Sequence, residues 1–96
     1  MTNEAMLVVI VYDTPDDKRR RRLARLLEDV ADRVQWSVFE GWLTTAQIDD
    51  CWQRLQQVVC ADADRLRLYR VCQYCRDASR VLGQQQLEQL AEYWIV

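Results

Sequence analysis

The sequence predicts a single α+β domain in which an antiparallel sheet carries two helices on one face. Its 96 residues leave room for one hydrophobic core. Half of the residues are apolar, with only two glycines and one proline, which excludes a disordered or low-complexity chain. Short apolar runs typical of strands alternate with segments whose apolar residues recur at helical spacing.

The first half of the chain predicts a strand, a helix and a second strand. Residues 6–12 (MLVVIVY) are a continuous apolar run rich in β-branched residues, which is typical of a central, buried strand. A helix is expected over 15–32, with Thr14 as its N-cap and Pro15 at its first position. Residues 34–43 alternate as a strand does, and the Glu40-Gly41 pair could bend that strand into a hairpin.

The second half predicts another helix and another strand. Thr44 and Gln47 make a capping box, which is followed by a clean helical stripe from Ile48 to Val59. Residues 65–72 alternate and predict a strand. The order of elements is that of a ferredoxin-like βαββαβ sandwich formed by one domain over 1–96.

The C-terminal residues predict an extension of this domain. Residues 79–82 are expected as an extra C-terminal strand, 84–91 have weak helical spacing, and 93–96 are apolar. Two helices cover one face of the sheet only, and a small protein seldom exposes the other face, which is expected to carry some of Tyr69, Val71 and Phe39. We therefore expect a two-fold homodimer, with residues 79–96 packing on the partner protomer.

The net charge of −2 hides a strongly basic segment. Residues 18–25 contain six of the 13 basic residues and no acidic one. Cations early in a helix oppose its dipole, so the run is either a phosphate-binding surface or a solvated face. Successive helical residues are rotated by about 100°, so only two or three of Arg19–Arg22 can reach one nucleic-acid strand. Asp29 is expected to pair with Arg25 and Arg33.

Asp13 directly follows the first strand, at the turn into the first helix. Strand ends of this kind commonly carry binding sites in α/β layers. A carboxylate on a rigid strand end, beside a basic segment, suits Mg²⁺, which binds one or two carboxylates together with substrate phosphates. Support of the helix N-terminus is the alternative role, and the residues alone leave both open.

Several residue types exclude other functions or suggest ordinary ones. The absence of histidine excludes histidine catalysis and histidine-ligated zinc, and no signal peptide or membrane span is visible. Four cysteines without a disulfide-type framework indicate a reducing cytoplasm. Cys72 and Cys75 have redox or zinc spacing, but we expect reduced thiols that do not open a helix after a strand. The tryptophans at 36, 42, 52 and 94 are expected in the core and interfaces rather than as base-stacking platforms.

Three segments resemble the CRISPR-associated protein two family, the small subunit of the spacer-acquisition machinery. They are VYDTPDDKRR at 11–20, LLED at 26–29 and RVQWSVFE at 33–40. The similarity continues through the second helix to RVC at 70–72 and VLG at 81–83, so it covers nearly the whole chain. The first and third segments at this distance form a specific pattern.

The resemblance implies a ferredoxin-like fold in a two-fold dimer. It also implies an endonuclease that depends on Mg²⁺ or Mn²⁺ and hydrolyses single-stranded RNA or duplex DNA. A further implied role is a bridge on spacer DNA between subunits of the CRISPR-associated protein one integrase. A member with a vestigial metal site would be a non-catalytic scaffold, and the sequence leaves nuclease and scaffold open.

The resemblance also implies roles for individual residues. Asp13 would be the catalytic residue and metal ligand, with Tyr12 beside it on the strand. The cations expected to contact nucleic acid are Arg20, Arg22 and Arg33, together with Arg19 of the basic segment. Ser37 and Phe39 would line the site.

Overall fold

The structure, a computed structural model, describes residues 4–82 and has four strands and three helices in that range. In chain order the elements are β1 (Met6–Asp13), α1 (Asp17–Glu28), β2 (Asp32–Gln35), β3 (Val38–Leu43), α2 (Thr45–Gln56), β4 (Arg65–Val71) and α3 (Gln73–Ala78). The strands form one antiparallel sheet in the order β2-β3-β1-β4. The predicted α+β, ferredoxin-like class and the central first strand are confirmed. In this part of the chain no helix has the length and apolar character to cross a membrane.

The hydrophobic core lies between the sheet and the layer formed by α1 and α2. Strand β1 contributes Val8, Ile10 and Tyr12, since alternate residues of a strand point to the same face. The helices and β3 supply the fully buried side chains of Leu23, Leu27, Leu55 and Phe39. Each contributes about 1.5–3 kcal/mol when it leaves water, so the core holds β1 rigidly against α1. Phe39 points to the helices, and its expected place on the open face is wrong.

Helix α1 is shorter than the predicted range 15–32, and its N-cap is Asp16 rather than Thr14. The Asp16 carboxylate accepts hydrogen bonds from the backbone N–H groups of Lys18 at 2.8 Å and Arg19 at 3.4 Å. These bonds, that of Lys18 foremost, lower the pKa of Asp16. A carboxylate is favoured over a hydroxyl at this position because it also meets the positive end of the helix dipole. The Thr14 hydroxyl instead accepts from the Asp16 N–H at 3.2 Å and shapes the preceding turn.

The hairpin between β2 and β3 turns at residues 36–37, so the expected turn at 40–41 is wrong. Gly41 lies inside β3, where a Cβ atom would come within 2.9 Å of the Val30 carbonyl oxygen. Close approach of the chain after α1, and not a turn, therefore requires glycine here. Helix α2 begins as predicted, with the Thr44–Gln47 capping box formed in both directions.

Residues 79–82 form no strand, which contradicts the predicted extra C-terminal strand in the described part of the chain. Helix α3 follows β4 directly, and Cys72 is its N-cap, with Sγ accepting from the Cys75 N–H at 3.3 Å. The cysteine pair thus opens a helix after a strand, contrary to expectation. All four cysteines are free thiols, as expected.

Two expectations fall on residues beyond this range. The weak helix at 84–91 and the apolar end at 93–96 lie outside the described residues. The packing of residues 79–96 on a partner protomer, and the homodimer itself, therefore stay predictions.

Candidate functional site

A cavity of about 460 Å³ opens where β1 ends, between the first turns of α1 and the β2–β3 turn. The backbone N–H of Tyr12 donates to the Ser37 carbonyl oxygen at 3.1 Å, which extends the β1–β3 pairing up to that turn. Sheet pairing thus brings Tyr12, near the end of β1, beside Ser37, which lies 25 residues further along the chain. The lining residues are Tyr12, Asp13, Thr14, Arg20, Arg21, Ala24, Arg33, Trp36 and Ser37.

The cavity brings together five of the eight residues that the sequence predicted for the site. They are Tyr12, Asp13, Arg20, Arg33 and Ser37. Asp13 is exposed, and its carboxylate accepts no hydrogen bond from residues 4–82, so its oxygens are available to a ligand. It is also the single acidic side chain among the lining residues.

Phe39 does not line the cavity, because it is fully buried in the core beneath it. Its ring stacks on that of Tyr12, with centroids 6.2 Å apart. The Arg33 guanidinium lies over the same Phe39 ring, 5.3 Å from its centroid. Phe39 therefore supports two cavity residues. Arg33 forms an ion pair with Glu28 at 3.2 Å. The predicted pair between Arg33 and Asp29 is therefore wrong.

The three arginines of the cavity differ in how far their charges are already engaged. Arg20 forms an ion pair with Asp17 and donates to the Thr14 carbonyl oxygen at 2.9 Å, which fastens the β1–α1 connection. Arg33 is paired with Glu28. Arg21 makes no ion pair with any residue of the described range, and it is exposed. It is the cavity cation that sequence reasoning missed, although its helical position beside Arg20 and Ala24 is a signal for it.

Arg22 is exposed on α1 and does not line the cavity, so its contact with nucleic acid stays a prediction.

Arg19 is also absent from the cavity, because it is held by a buried acid. Its Nε donates to Asp64 at 2.7 Å and its second terminal nitrogen donates to the same carboxylate at 3.1 Å. The Asp64 side chain is 0% exposed and also accepts from the Cys60 backbone N–H at 2.8 Å. The Arg19 hydrogen bonds are the main reason that the pKa of Asp64 is lowered to about 2. Arg19 therefore ties α1 to the α2–β4 connection, and its contact with nucleic acid stays a prediction.

Tyr12 and Trp36 give the cavity its two aromatic walls. Burial raises the pKa of the Tyr12 phenol, while the charges of Arg33 and Arg20 oppose that shift, so Tyr12 is protonated at neutral pH. Trp36 is 90% exposed, which contradicts a place in the core, while its expected place in an interface stays a prediction. The tryptophans at 42 and 52 are half-buried, and that at 94 lies outside the described residues.

The donor set of the cavity is compatible with a divalent cation only in part. Nowhere in residues 4–82 do three acidic or cysteine side chains converge on a point where they could hold a metal ion. Asp13 alone supplies one carboxylate, and Mg²⁺ can bind through one or two carboxylates when substrate phosphates and water complete its ligands. Asp13 therefore fits a cation that arrives with a phosphate.

The chain is similar to proteins of one family. The family model described as CRISPR associated protein Cas2 matches residues 6–78. A Thermus thermophilus protein named CRISPR-associated endonuclease Cas2 2 is 37% identical over 90 residues, which are 94% of this chain and 96% of that protein. A Synechocystis protein named CRISPR-associated endoribonuclease Cas2 3 is 44% identical over 63 residues, 66% of this chain and 68% of that protein.

Solved structures are similar as well. The crystal structure of Streptococcus pyogenes Cas2 is 34% identical, with a TM-score of 0.71 over 81% of this chain and 100% of that one. A chain in a partial Cas6-RT-Cas1–Cas2 complex is 27% identical, with a TM-score of 0.74 over 88% and 93% of the two chains.

Proposed function

This chain belongs to the CRISPR associated protein Cas2 family, and on that premise we propose that it is a homodimeric endonuclease of CRISPR adaptation. It hydrolyses phosphodiester bonds of RNA or DNA with Mg²⁺ or Mn²⁺ as cofactor. The names of the relatives, endonuclease and endoribonuclease, support nucleic acid as the substrate.

The observation that carries the proposal is the arginine-lined cavity with one free carboxylate at its mouth. Three guanidinium groups line the cavity, and planar guanidinium groups match the oxygen pairs of a phosphate. Arg21 offers a full, unpaired charge within the described chain. Arg20 and Arg33 are held in place by Asp17 and Glu28, so they meet a phosphate without much loss of side-chain freedom.

Each cavity residue has a definite task in this mechanism. The arginines bind the phosphate and offset the negative charge that develops during hydrolysis. Asp13 would hold the cation beside that phosphate, and a bound Mg²⁺ or Mn²⁺ supplies a Lewis acid there. The Tyr12 backbone N–H, which donates to the Ser37 carbonyl oxygen, keeps the strand end and the turn in register. Because one chain provides one cavity carboxylate, we place the second Asp13 of a two-fold dimer across the axis from the first.

A second function is favoured by a different property of the same surface. The cavity has more cations than carboxylates and lacks the clustered ligands of a strong metal site within residues 4–82. The alternative is a non-catalytic scaffold that binds duplex DNA and bridges subunits of the CRISPR-associated protein one integrase. The presence of Cas1 with Cas2 in the name of a similar assembly supports this partner.

The two functions are separated by Asp13→Asn, which removes the charge and keeps the shape. Purified protein is titrated with Mg²⁺ and Mn²⁺ against labelled single-stranded RNA and duplex DNA, with Asp62→Asn as the control because Asp62 is an exposed acid outside the cavity. If Asp13 holds the cation, Asp13→Asn lowers metal-stimulated cleavage by at least about 100-fold, while Asp62→Asn does not.

Binding is measured in parallel. Metal-stimulated cleavage that is unchanged in Asp13→Asn overturns the catalytic role of Asp13. A protein that binds duplex DNA, yet never cleaves with either metal, is a scaffold.

A further inference from the structure

The side chain of Trp36 is an unusual feature of this surface. It is 90% exposed, and it occupies the two-residue turn between β2 and β3. An indole buries a large apolar area when it packs, and tryptophans in folded proteins are on average highly buried. A tryptophan that the fold leaves in water therefore has no role in the core.

The position of Trp36 is nevertheless well defined. The residues on either side of the turn are paired, Gln35 with Val38, and the Ser37 carbonyl oxygen accepts from the Tyr12 N–H at 3.1 Å. The turn is thus joined to the central strand at the point where Asp13 ends it. The Trp36 indole lies on the wall of the cavity that Arg20, Arg21 and Arg33 also line.

We propose that Trp36 is a base-stacking residue that makes the cavity selective for single-stranded nucleic acid. An unpaired base stacks on the indole, while the arginines hold the neighbouring phosphate. This inference rests on the proposed function and specifies its substrate class. The argument is one of chemistry: cations beside an exposed aromatic ring are the combination that binds single strands, in which each base offers a free π face.

The charge of the cavity decides between possible occupants. A protein surface that covered Trp36 would also have to supply an anion for Arg21, which lines the cavity and has no ion-pair partner in residues 4–82. A polynucleotide supplies a flat apolar group and an adjacent anion at every residue of its chain. In a duplex the bases are already stacked and paired, so Trp36 gains nothing from it except at an end or a distortion.

The experiment compares three ligands of equal length in metal-free buffer: a labelled single strand, the same strand with abasic sites, and the duplex. Trp36→Ala is predicted to weaken binding of the single strand by about tenfold or more, the usual effect of losing one stacked base. Binding of the abasic strand and of the duplex stays within about twofold, because no phosphate contact is lost. Trp36→Phe restores most of the affinity for the single strand. Tyr74→Ala is the matched control, since Tyr74 is 79% exposed and lies outside the cavity.

Two readouts distinguish stacking from a general defect. The salt dependence of binding stays the same in Trp36→Ala, whereas loss of a phosphate contact makes it less steep. Circular dichroism and sedimentation of each variant show that fold and oligomeric state are retained, as expected for an exposed turn residue.

Four results would overturn the inference. Equal loss of affinity for all three ligands means that Trp36 acts only on structure, and no loss for any means that it makes no stacking contact. A change in sedimentation with unchanged binding assigns Trp36 to a protein interface. If the wild-type protein binds none of the three ligands, the proposed function fails together with the stacking role. If the wild-type protein binds them and Trp36→Ala does not selectively weaken binding of the single strand, the stacking role alone fails.

Discussion

Arg21 is the residue at which the electrostatic part of the proposal can be tested most directly. It lines the cavity and has no ion-pair partner in residues 4–82, so the full positive charge of Arg21 acts on a bound phosphate. Each phosphate neutralised releases counterions, which contributes about 0.9 to the slope of log K against log salt for duplex DNA and about 0.7 for a single strand. Arg21→Gln removes the charge while glutamine keeps a helix propensity similar to that of arginine.

The expected effect can be worked out from these values. Between 50 and 200 mM, the salt concentration rises fourfold. With a slope of about 0.9 per phosphate contact, each contact then accounts for a loss of about 3.5-fold in duplex affinity, because four to the power of 0.9 is about 3.5. Arg21→Gln should remove this factor and lower the slope by about 0.9 for duplex and 0.7 for single strands. Changes at Arg20 and Arg33 should lower the slope by less, because Asp17 and Glu28 already neutralise part of their charge.

The assay is fluorescence anisotropy of a labelled oligonucleotide at five or more salt concentrations, without metal. Arg25→Gln is the matched control, because Arg25 is an exposed arginine of the same helix outside the cavity. The reasoning predicts a change in slope for Arg21→Gln and none for Arg25→Gln. Equal changes in both variants would mean that α1 acts as a diffuse cationic face and that the cavity is not the phosphate site.

Two predictions concern the framework that carries the site. Asp64→Asn should lower stability at neutral pH and flatten its acid dependence: the pKa of Asp64 is about 2, below its ordinary 3.8, because of Arg19. The stabilising effect of the ionised group is complete above about pH 4 and is lost as the pH falls through 2. The free energy of unfolding in urea, measured from pH 2 to 7, tests this. If Asp64→Asn and the control Asp62→Asn both show the pH dependence of the wild-type protein, the prediction is contradicted. Gly41→Ala should destabilise the fold by about 1–3 kcal/mol in urea unfolding, because the new Cβ lies 2.9 Å from the Val30 carbonyl oxygen; a more stable variant would refute that close approach.

Local patterns predicted the elements well because the forces behind them act over a few residues. The apolar run of β1, the stripe of α2 and the Thr44 capping box all depend on near neighbours, and each forms as expected. The cap of α1 was misplaced by two residues, because Thr14, Asp16 and Asp17 all suit that position and only the path of the chain after β1 selects Asp16. The Gly41 turn was wrong because a glycine in a strand and a glycine in a turn look the same in sequence.

The sequence by itself determined the α+β order, the strand end that carries Asp13 and the basic segment beside it. Which arginine faces the cavity was decided by the tertiary structure, because that depends on contacts between residues far apart in the chain. Arg19 is bound by Asp64, 45 residues away, whereas Arg21 lines the cavity. Phe39 faces the helices and lies beneath Arg33. The large apolar indole of Trp36 predicts a place in the core or an interface. It is exposed because the two-residue turn that joins β2 to β3 has no layer packed over it in the described chain.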